Sequence, residues 1–180
     1  MVALFEKIRN IPYIIEKTLL DPRSEPTAIL KLNRGSCSPK HYLLGTMYEE
    51  MGLKVKYLSY KFTWNDDRFL KIFPEDLALL AKDFPMLDHF NIEVLINNKW
   101  TLVDASFNPE LKQLGFLINE NWDGVKDQTN AFTPLDRKEH ATAWNYASYM
   151  QQERDKMSSE QKVKAGKFVE RFNAWVETGC

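Results

Sequence analysis

Cys37 lies in the stretch RGSCSPKH (residues 34–41), between a glycine turn and the start of an apolar pattern with helical period. A thiol in such a place can be a buried core residue, a metal ligand or a nucleophile. The positive end of a helix dipole lowers the pKa of a thiol, and Gly35 lets the backbone approach closely. The choice between the three roles depends on which other residues the fold brings to Cys37.

The stretch HFNIEVLINNKWTLVDASFNP (residues 89–109) predicts a β-hairpin that supplies two such residues. Asn97-Asn98 is a two-residue turn signal, because asparagine tolerates the left-handed conformations of tight hairpins. With this turn, His89 and Asp104 become diagonal neighbours on one face, with backbones about 7–8 Å apart. An imidazole N–H can then reach the carboxylate.

The two faces of this predicted hairpin differ in polarity. The turn places Leu95 opposite Trp100, and side chains alternate between the faces along each strand. A slip of one residue would send Asp104 to the apolar face. The apolar face carries Phe90, Ile92, Val94, Ile96, Val103 and Ala105. The other face carries His89, Asn91, Glu93, Leu102, Asp104 and Ser106.

Cys37, His89 and Asp104 together have the residue types of a nucleophilic triad. The imidazole acts first as base and then as acid toward the leaving group, while the carboxylate fixes its tautomer and stabilises its charged form. The backbone amide of Cys37, at the start of a helix, is a natural donor to an oxyanion. The sequence shows no clear second donor, and Asn33 is the candidate that we note.

Three further residues are candidates for contact with a substrate. His41 follows Cys37 by four residues, so both lie on one face of the same helix. We expect Lys40 and His41 to tune the electrostatics near the thiol or to contact the substrate. Trp100 is a candidate wall of a substrate groove, although packing is the commoner role of an aromatic residue in such a place.

These motifs resemble the core of the transglutaminase-like superfamily, in which a Gly-x-Cys helix start precedes a His on one strand and an Asp on the next. The matching segments are residues 35–37, 89–94 and 99–104, and the resemblance covers roughly residues 27–109. It implies a papain-like α+β fold and thiol acyl-transfer chemistry on amides: proteolysis, deamidation, cross-linking or de-glycosylation. The substrate would be a peptide, a protein or a small amide. We expect no cofactor and no metal.

Two functions of other classes remain open. Cys37, His41 and His89 could bind zinc, but Asp104 would then have no clear role. A catalytically silent transglutaminase-like domain could instead use the same cleft to bind a protein or peptide. The intact set of Cys, His and Asp favours the enzyme.

Proline and glycine mark the elements that must position these residues. The pattern predicts a helix from about 38 to 51 with Gly52 at its C-terminal end, a strand over 53–62 and a helix that opens at residues 73–76. Pro12 predicts a short helix through Leu20, and residues 140–177 predict one or two helices. We therefore expect an α+β fold: a helical N-terminal part with the nucleophile at a helix N-terminus, packed on an antiparallel sheet, and C-terminal helices.

Composition limits the remaining possibilities. The 180 residues, 44% of them hydrophobic, suffice for one well-buried core, so we expect a single domain over 1–180. The net charge of -1 does not indicate a nucleic-acid or membrane partner. Charged residues interrupt the first twenty residues, which indicates neither a signal peptide nor a membrane span and favours a cytoplasmic protein. Cys37 and Cys180 are expected to be free thiols. The sequence does not predict the oligomeric state.

Overall fold

An antiparallel four-stranded sheet positions the predicted site residues in the computed structural model, which describes residues 1–23 and 25–179. Cys180, the second predicted free thiol, lies outside the described residues. The strand order is β3-β2-β1-β4. The strands are β1 (Val55–Phe62), β2 (Leu87–Ile96), β3 (Lys99–Val103) and β4 (Arg137–His140).

The predicted hairpin between β2 and β3 is confirmed. Asn97 and Asn98 have φ angles of 50° and 63°, the left-handed conformation that a two-residue turn of this kind requires. Leu95 lies opposite Trp100, as expected from the turn. Regular pairing ends at Val103, so the polar residues that follow β3 are free to make other contacts.

The helices combine with a sheet whose strand pairs are all antiparallel, so the fold is α+β. The two C-terminal helices and the helix that starts at Cys37 confirm the predictions for those segments. No helix among the described residues is long and apolar enough to span a membrane. The helices are α1 (Val2–Arg9), α2 (Ala28–Leu32), α3 (Cys37–Glu50), α4 (Asp67–Leu70), α5 (Glu75–Lys82), α6 (Ala143–Lys156) and α7 (Ser159–Gly179).

The prediction of a helix from Pro12 to Leu20 is wrong. The N-terminal helix ends at Arg9, and residues 11–16 have no regular structure. Their backbone groups bond to distant parts of the chain instead: the Pro12 carbonyl accepts from the Gly35 amide at 3.0 Å, and the Tyr13 amide donates to Asn108 Oδ1 at 2.8 Å. These tertiary hydrogen bonds replace those that a helix would have made.

Both faces of the β2–β3 hairpin are covered. The apolar face packs into one hydrophobic cluster with α1, α3 and α6, as predicted. The polar face lies under the irregular segment 119–132 and beside a second, aromatic-rich cluster that includes Trp64, Phe132 and Phe168. His89 and Asp104 are therefore fully enclosed rather than facing solvent.

Candidate active site

Cys37 is the first residue of α3, where backbone amides have no partner within the helix. Ser36 precedes it in an extended conformation, and its side chain makes no capping hydrogen bond to these amides. The thiol is only 7% exposed, and what is exposed faces a cleft. The helix start therefore offers the sulfur both a positive dipole end and free amide donors.

The sulfur occupies the place where β3 separates from β2. If the hairpin register continued, Ala105 would pair with Phe90. Instead, the Ala105 amide donates to His41 Nε2 at 2.8 Å, and the Phe90 amide donates a hydrogen bond to the Cys37 sulfur. Two side chains of α3, those of Cys37 and His41, thus accept hydrogen bonds from backbone amides at the end of the hairpin.

His89 and Asp104 form the pair that the hairpin predicts. His89 Nε2 donates to Asp104 Oδ2 at 3.0 Å. The other ring nitrogen, Nδ1, is buried without an oxygen or nitrogen partner, which leaves it free for the thiol. The thiol and the imidazole interact through charge and a hydrogen-bonding contact, although this contact falls outside strict hydrogen-bond geometry.

Asp104 is held by four hydrogen bonds. Besides His89, the Ala131 amide donates to Oδ2 at 2.8 Å, while the amide and hydroxyl of Ser106 donate to Oδ1 at 3.0 and 2.5 Å. Burial would raise the pKa of this carboxyl, but the charge and hydrogen bond of His89, aided by His41 and Ser106, hold the pKa well below its ordinary value. Asp104 is therefore a fixed negative charge.

The negative charge of Asp104 influences the protonation of His89, and through His89 that of Cys37. Burial would lower the pKa of His89, but the charges of Asp104 and Cys37 raise it to about 9. Burial would likewise raise the pKa of Cys37, but the charge of His89 and the hydrogen bonds from His89 and Phe90 lower it. The site favours a thiolate beside an imidazolium, the active form of a cysteine nucleophile.

His41 is not available to a substrate, contrary to our expectation of substrate contact. It is fully buried, and its Nδ1 donates to the Cys37 carbonyl at 2.9 Å while Nε2 accepts from Ala105. Burial lowers the pKa of His41 to about 4, so the ring is neutral. Because both nitrogens are in use, His41 holds α3 to the end of the hairpin. It is also unavailable as a zinc ligand with Cys37 and His89.

The remaining sequence candidates lie away from the thiol. Asn33 is an exposed residue with φ 47° at the C-terminal end of α2 and does not line the cleft. Trp100 lies near the hairpin turn, where the Lys56 ammonium sits 4.7 Å from its ring centroid, and it also does not line the cleft. Asp104 lies four positions after Trp100 along the extended chain, which corresponds to about 13 Å.

The cleft beside Cys37 has a volume of about 470 Å³. The N-terminal segment, the start of α3, the ends of β1 and β2, and helices α6 and α7 form its walls. The C-terminal helices therefore border the thiol without filling the space in front of it. The principal apolar lining residues are Phe62, Trp64, Phe84, Leu87, Met150 and Val169.

Tyr13 is a site residue that the sequence did not indicate. It lines the cleft with Cys37, and its ring packs edge-on against Phe107 and Phe172, with centroids 5.0 and 6.0 Å away. Its hydroxyl makes no hydrogen bond to any residue in the described part of the chain. Burial, followed by the charges of Cys37 and Asp104, raises the pKa of Tyr13 far above its ordinary value. The hydroxyl thus stays protonated and free to donate.

Lys40 is fully buried at this site and is not available to a substrate, contrary to our expectation of substrate contact. Its Nζ donates to the Arg9 carbonyl at 3.0 Å and to the Ser106 carbonyl at 2.8 Å. Burial lowers its pKa to about 7. Lys40 connects α1 and α3 to the segment that carries Asp104, and so it helps to fix the carboxylate in place.

No group of three or more His, Cys, Asp or Glu side chains in the described residues is arranged to hold a metal ion.

Comparison with known proteins assigns neither a family nor a function to this chain. Neither a protein-family model, nor a curated protein, nor a solved structure matches this chain. Any function must therefore be argued from the geometry of the site.

Proposed function

We propose that this chain is a thiol-dependent enzyme that transfers or hydrolyses the acyl group of an amide or peptide bond. Cys37 is the nucleophile, His89 the general acid and base, and Asp104 the residue that orients and charges His89. The observation that carries the proposal is the buried Cys37–His89–Asp104 chain at the floor of an open cleft. A papain-like, transglutaminase-like arrangement of the α+β fold belongs to the same proposal, as does a location in the reducing cytoplasm, where a thiol nucleophile persists.

The reaction begins when the Cys37 thiolate attacks the amide carbonyl carbon. A carbon–sulfur bond forms, and the carbonyl π electrons move to the oxygen, which becomes an oxyanion. The Cys37 amide and the free Tyr13 hydroxyl are the donors available to stabilise that charge. His89 then gives its proton to the nitrogen of the leaving amine as the carbon–nitrogen bond breaks, which leaves a thioester on Cys37.

The second half of the reaction releases the acyl group. Neutral His89 takes a proton from water or from an acceptor amine, which attacks the thioester carbonyl and displaces the Cys37 thiolate. Throughout both halves, Asp104 remains ionised, because its four hydrogen bonds and the neighbouring imidazolium hold its pKa low. The open cleft provides room for either acceptor.

Alkylation of Cys37 at different pH values tests the proposal. The protein would carry Cys180→Ser so that Cys37 is its single cysteine, and the same protein unfolded in urea would supply the profile of a free thiol. We expect the folded protein to react with iodoacetamide at lower pH than the unfolded chain, because His89 stabilises the thiolate. His89→Gln should remove that advantage while circular dichroism stays unchanged. A folded protein whose Cys37 follows the free-thiol profile would instead be a binding module.

A further inference from the structure

The mouth of the cleft carries cations that have no carboxylate partner. Lys17, Arg154 and Lys162 all line the cleft, and none forms an ion pair with a carboxylate in the described part of the chain. Within the described residues, the Arg154 guanidinium donates one hydrogen bond, to the side-chain oxygen of the neighbouring Gln151 at 3.0 Å. Partial burial lowers the pKa of Arg154, which reflects the loss of solvent around its guanidinium. A partly desolvated, unpaired arginine is a ready site for an anion.

Arg154 differs in this respect from most arginines of the protein. Five others each pair with a carboxylate: Arg23, Arg34, Arg68, Arg137 and Arg171.

The acidic residues of the cleft do not neutralise these cations. Asp88 is occupied by Lys61 Nζ at 2.8 Å and by the Tyr149 hydroxyl at 3.3 Å. Asp155 accepts from the Gln151 amide at 2.9 Å and is the one remaining acid on the cleft wall. Asp21 and Asp155 attract Arg154 through charge, but the cleft lining still carries three cations against the one carboxylate of Asp155, whereas the interior is apolar.

We infer that the substrate is an amide with a bulky apolar group, which fills the cleft, and an anionic group such as a carboxylate, which binds at Arg154 and Lys162. The inference rests on the proposed function, because it takes Cys37 as the group that attacks the amide. The apolar walls contribute by removing the bulky group from water, and the cations select a charged over a neutral analogue. The cleft volume of about 470 Å³ lies within the usual range of small-molecule sites.

Three thiol-reactive probes separate these contributions: chloroacetamide, N-chloroacetyl-phenylalanine and its uncharged primary amide. In each, the thiolate displaces chloride and forms a carbon–sulfur bond, and the rate of Cys37 labelling is measured below saturation. We expect both phenylalanine probes to react faster than chloroacetamide. The carboxylate probe should react faster than its amide by roughly two- to fivefold, as for a partly exposed ion pair.

Variants of the cleft provide matched controls. Arg154→Gln or Lys162→Gln should reduce the preference for the carboxylate probe, whereas Lys167→Gln, an exposed position of α7 outside the cleft, should leave it unchanged. Gly166 lines the cleft, and a Cβ added there meets nothing within 4 Å. Gly166→Phe should therefore slow both phenylalanine probes, while Gly166→Ala should not.

The outcomes distinguish the two levels of the proposal. If chloroacetamide labels Cys37 at low pH but the acid and amide probes react equally, or if Arg154→Gln and Lys162→Gln both keep the preference, the substrate inference is wrong and the enzyme proposal stands. If chloroacetamide labelling follows that of the unfolded thiol, the enzyme proposal fails, and the inference fails with it.

Discussion

Replacing Asp104 with asparagine removes the charge that keeps His89 protonated. Asp104 is fully buried and bonds to His89 Nε2 at 3.0 Å, so no water can substitute for the lost carboxylate. Asparagine has nearly the same shape and can keep some of the hydrogen bonds from Ser106 and Ala131. The variant therefore changes the electrostatics of the site more than its packing.

The size of the effect follows from the pKa of His89. This pKa is about 9, against an ordinary value of 6.5. At about 1.4 kcal/mol for each pKa unit, the site stabilises the imidazolium by about 3 kcal/mol. Asp104 is the larger of the two charges that raise this pKa against the effect of burial, so in Asp104→Asn we expect the pKa of His89 to fall and less of the imidazole to be protonated at pH 7.5. Cys37 then loses the positive charge that lowers its own pKa, and any turnover should fall by up to about 10⁴-fold.

Nuclear magnetic resonance titration of the histidine rings measures this directly, because the chain contains three histidines. His41 should titrate near 4 and His140 below 6.5, so a midpoint above 8 identifies His89. Asp88→Asn is the matched control. Asp88 is buried like Asp104 and precedes His89 on β2, but its carboxylate bonds to Lys61 and not to His89. A wild-type His89 that titrates below 6.5, or an unchanged midpoint in folded Asp104→Asn, would refute the ion-pair mechanism.

Two further predictions concern Tyr13, which the sequence did not indicate, and Lys40, whose complete burial the sequence did not predict. Tyr13→Phe removes one proposed oxyanion donor, so turnover should fall by about 10²–10³-fold while the pH profile of Cys37 alkylation stays unchanged; a shifted profile would assign Tyr13 to the ion pair instead. Lys40 has a folded-state pKa of about 7, below its ordinary 10.5, so the unfolded chain binds more protons between these values. In urea unfolding, the free energy of unfolding of the wild type should therefore rise relative to that of Lys40→Met, by up to about 1.4 kcal/mol per pH unit from pH 7 to 10. A difference between the two proteins that does not change with pH would contradict this.

The parts of the site that the sequence predicts are those with local signals. Asn97-Asn98 specifies the turn, and the turn specifies which side chains share a face of the hairpin, so His89 and Asp104 follow from a single local feature. The start of α3 is equally local, because a glycine turn precedes the apolar helical pattern. No local signal connects Cys37 with the hairpin, and that link came from the resemblance of the motifs.

The parts that the sequence missed depend on contacts between distant segments. The spacing of His41 from Cys37 indicates a shared helix face but not the Ala105 amide that occupies Nε2. Tyr13 reaches the site because residues 11–16 bond to Asn108 and Gly35 instead of forming a helix. The strand β4 is four residues long and has no apolar alternation, so its pairing with β1 is visible only in the folded chain.

The surroundings of the triad consequently extend beyond the resembling core of residues 27–109, although the three triad residues lie within it. The Asp104 carboxylate takes one of its four hydrogen bonds from Ala131, its own amide donates to Gln128 at 2.7 Å, and the Phe132 ring lies 4.7 Å from the His89 ring. Burial by these later residues has two opposing effects: it disfavours each isolated charge, and it strengthens the attraction between the charges that remain. The second effect prevails at His89, whose pKa is raised despite complete burial. A fragment that ends at residue 109 would keep the three triad residues but lose this enclosure, and with it the electrostatic coupling that makes Cys37 a nucleophile.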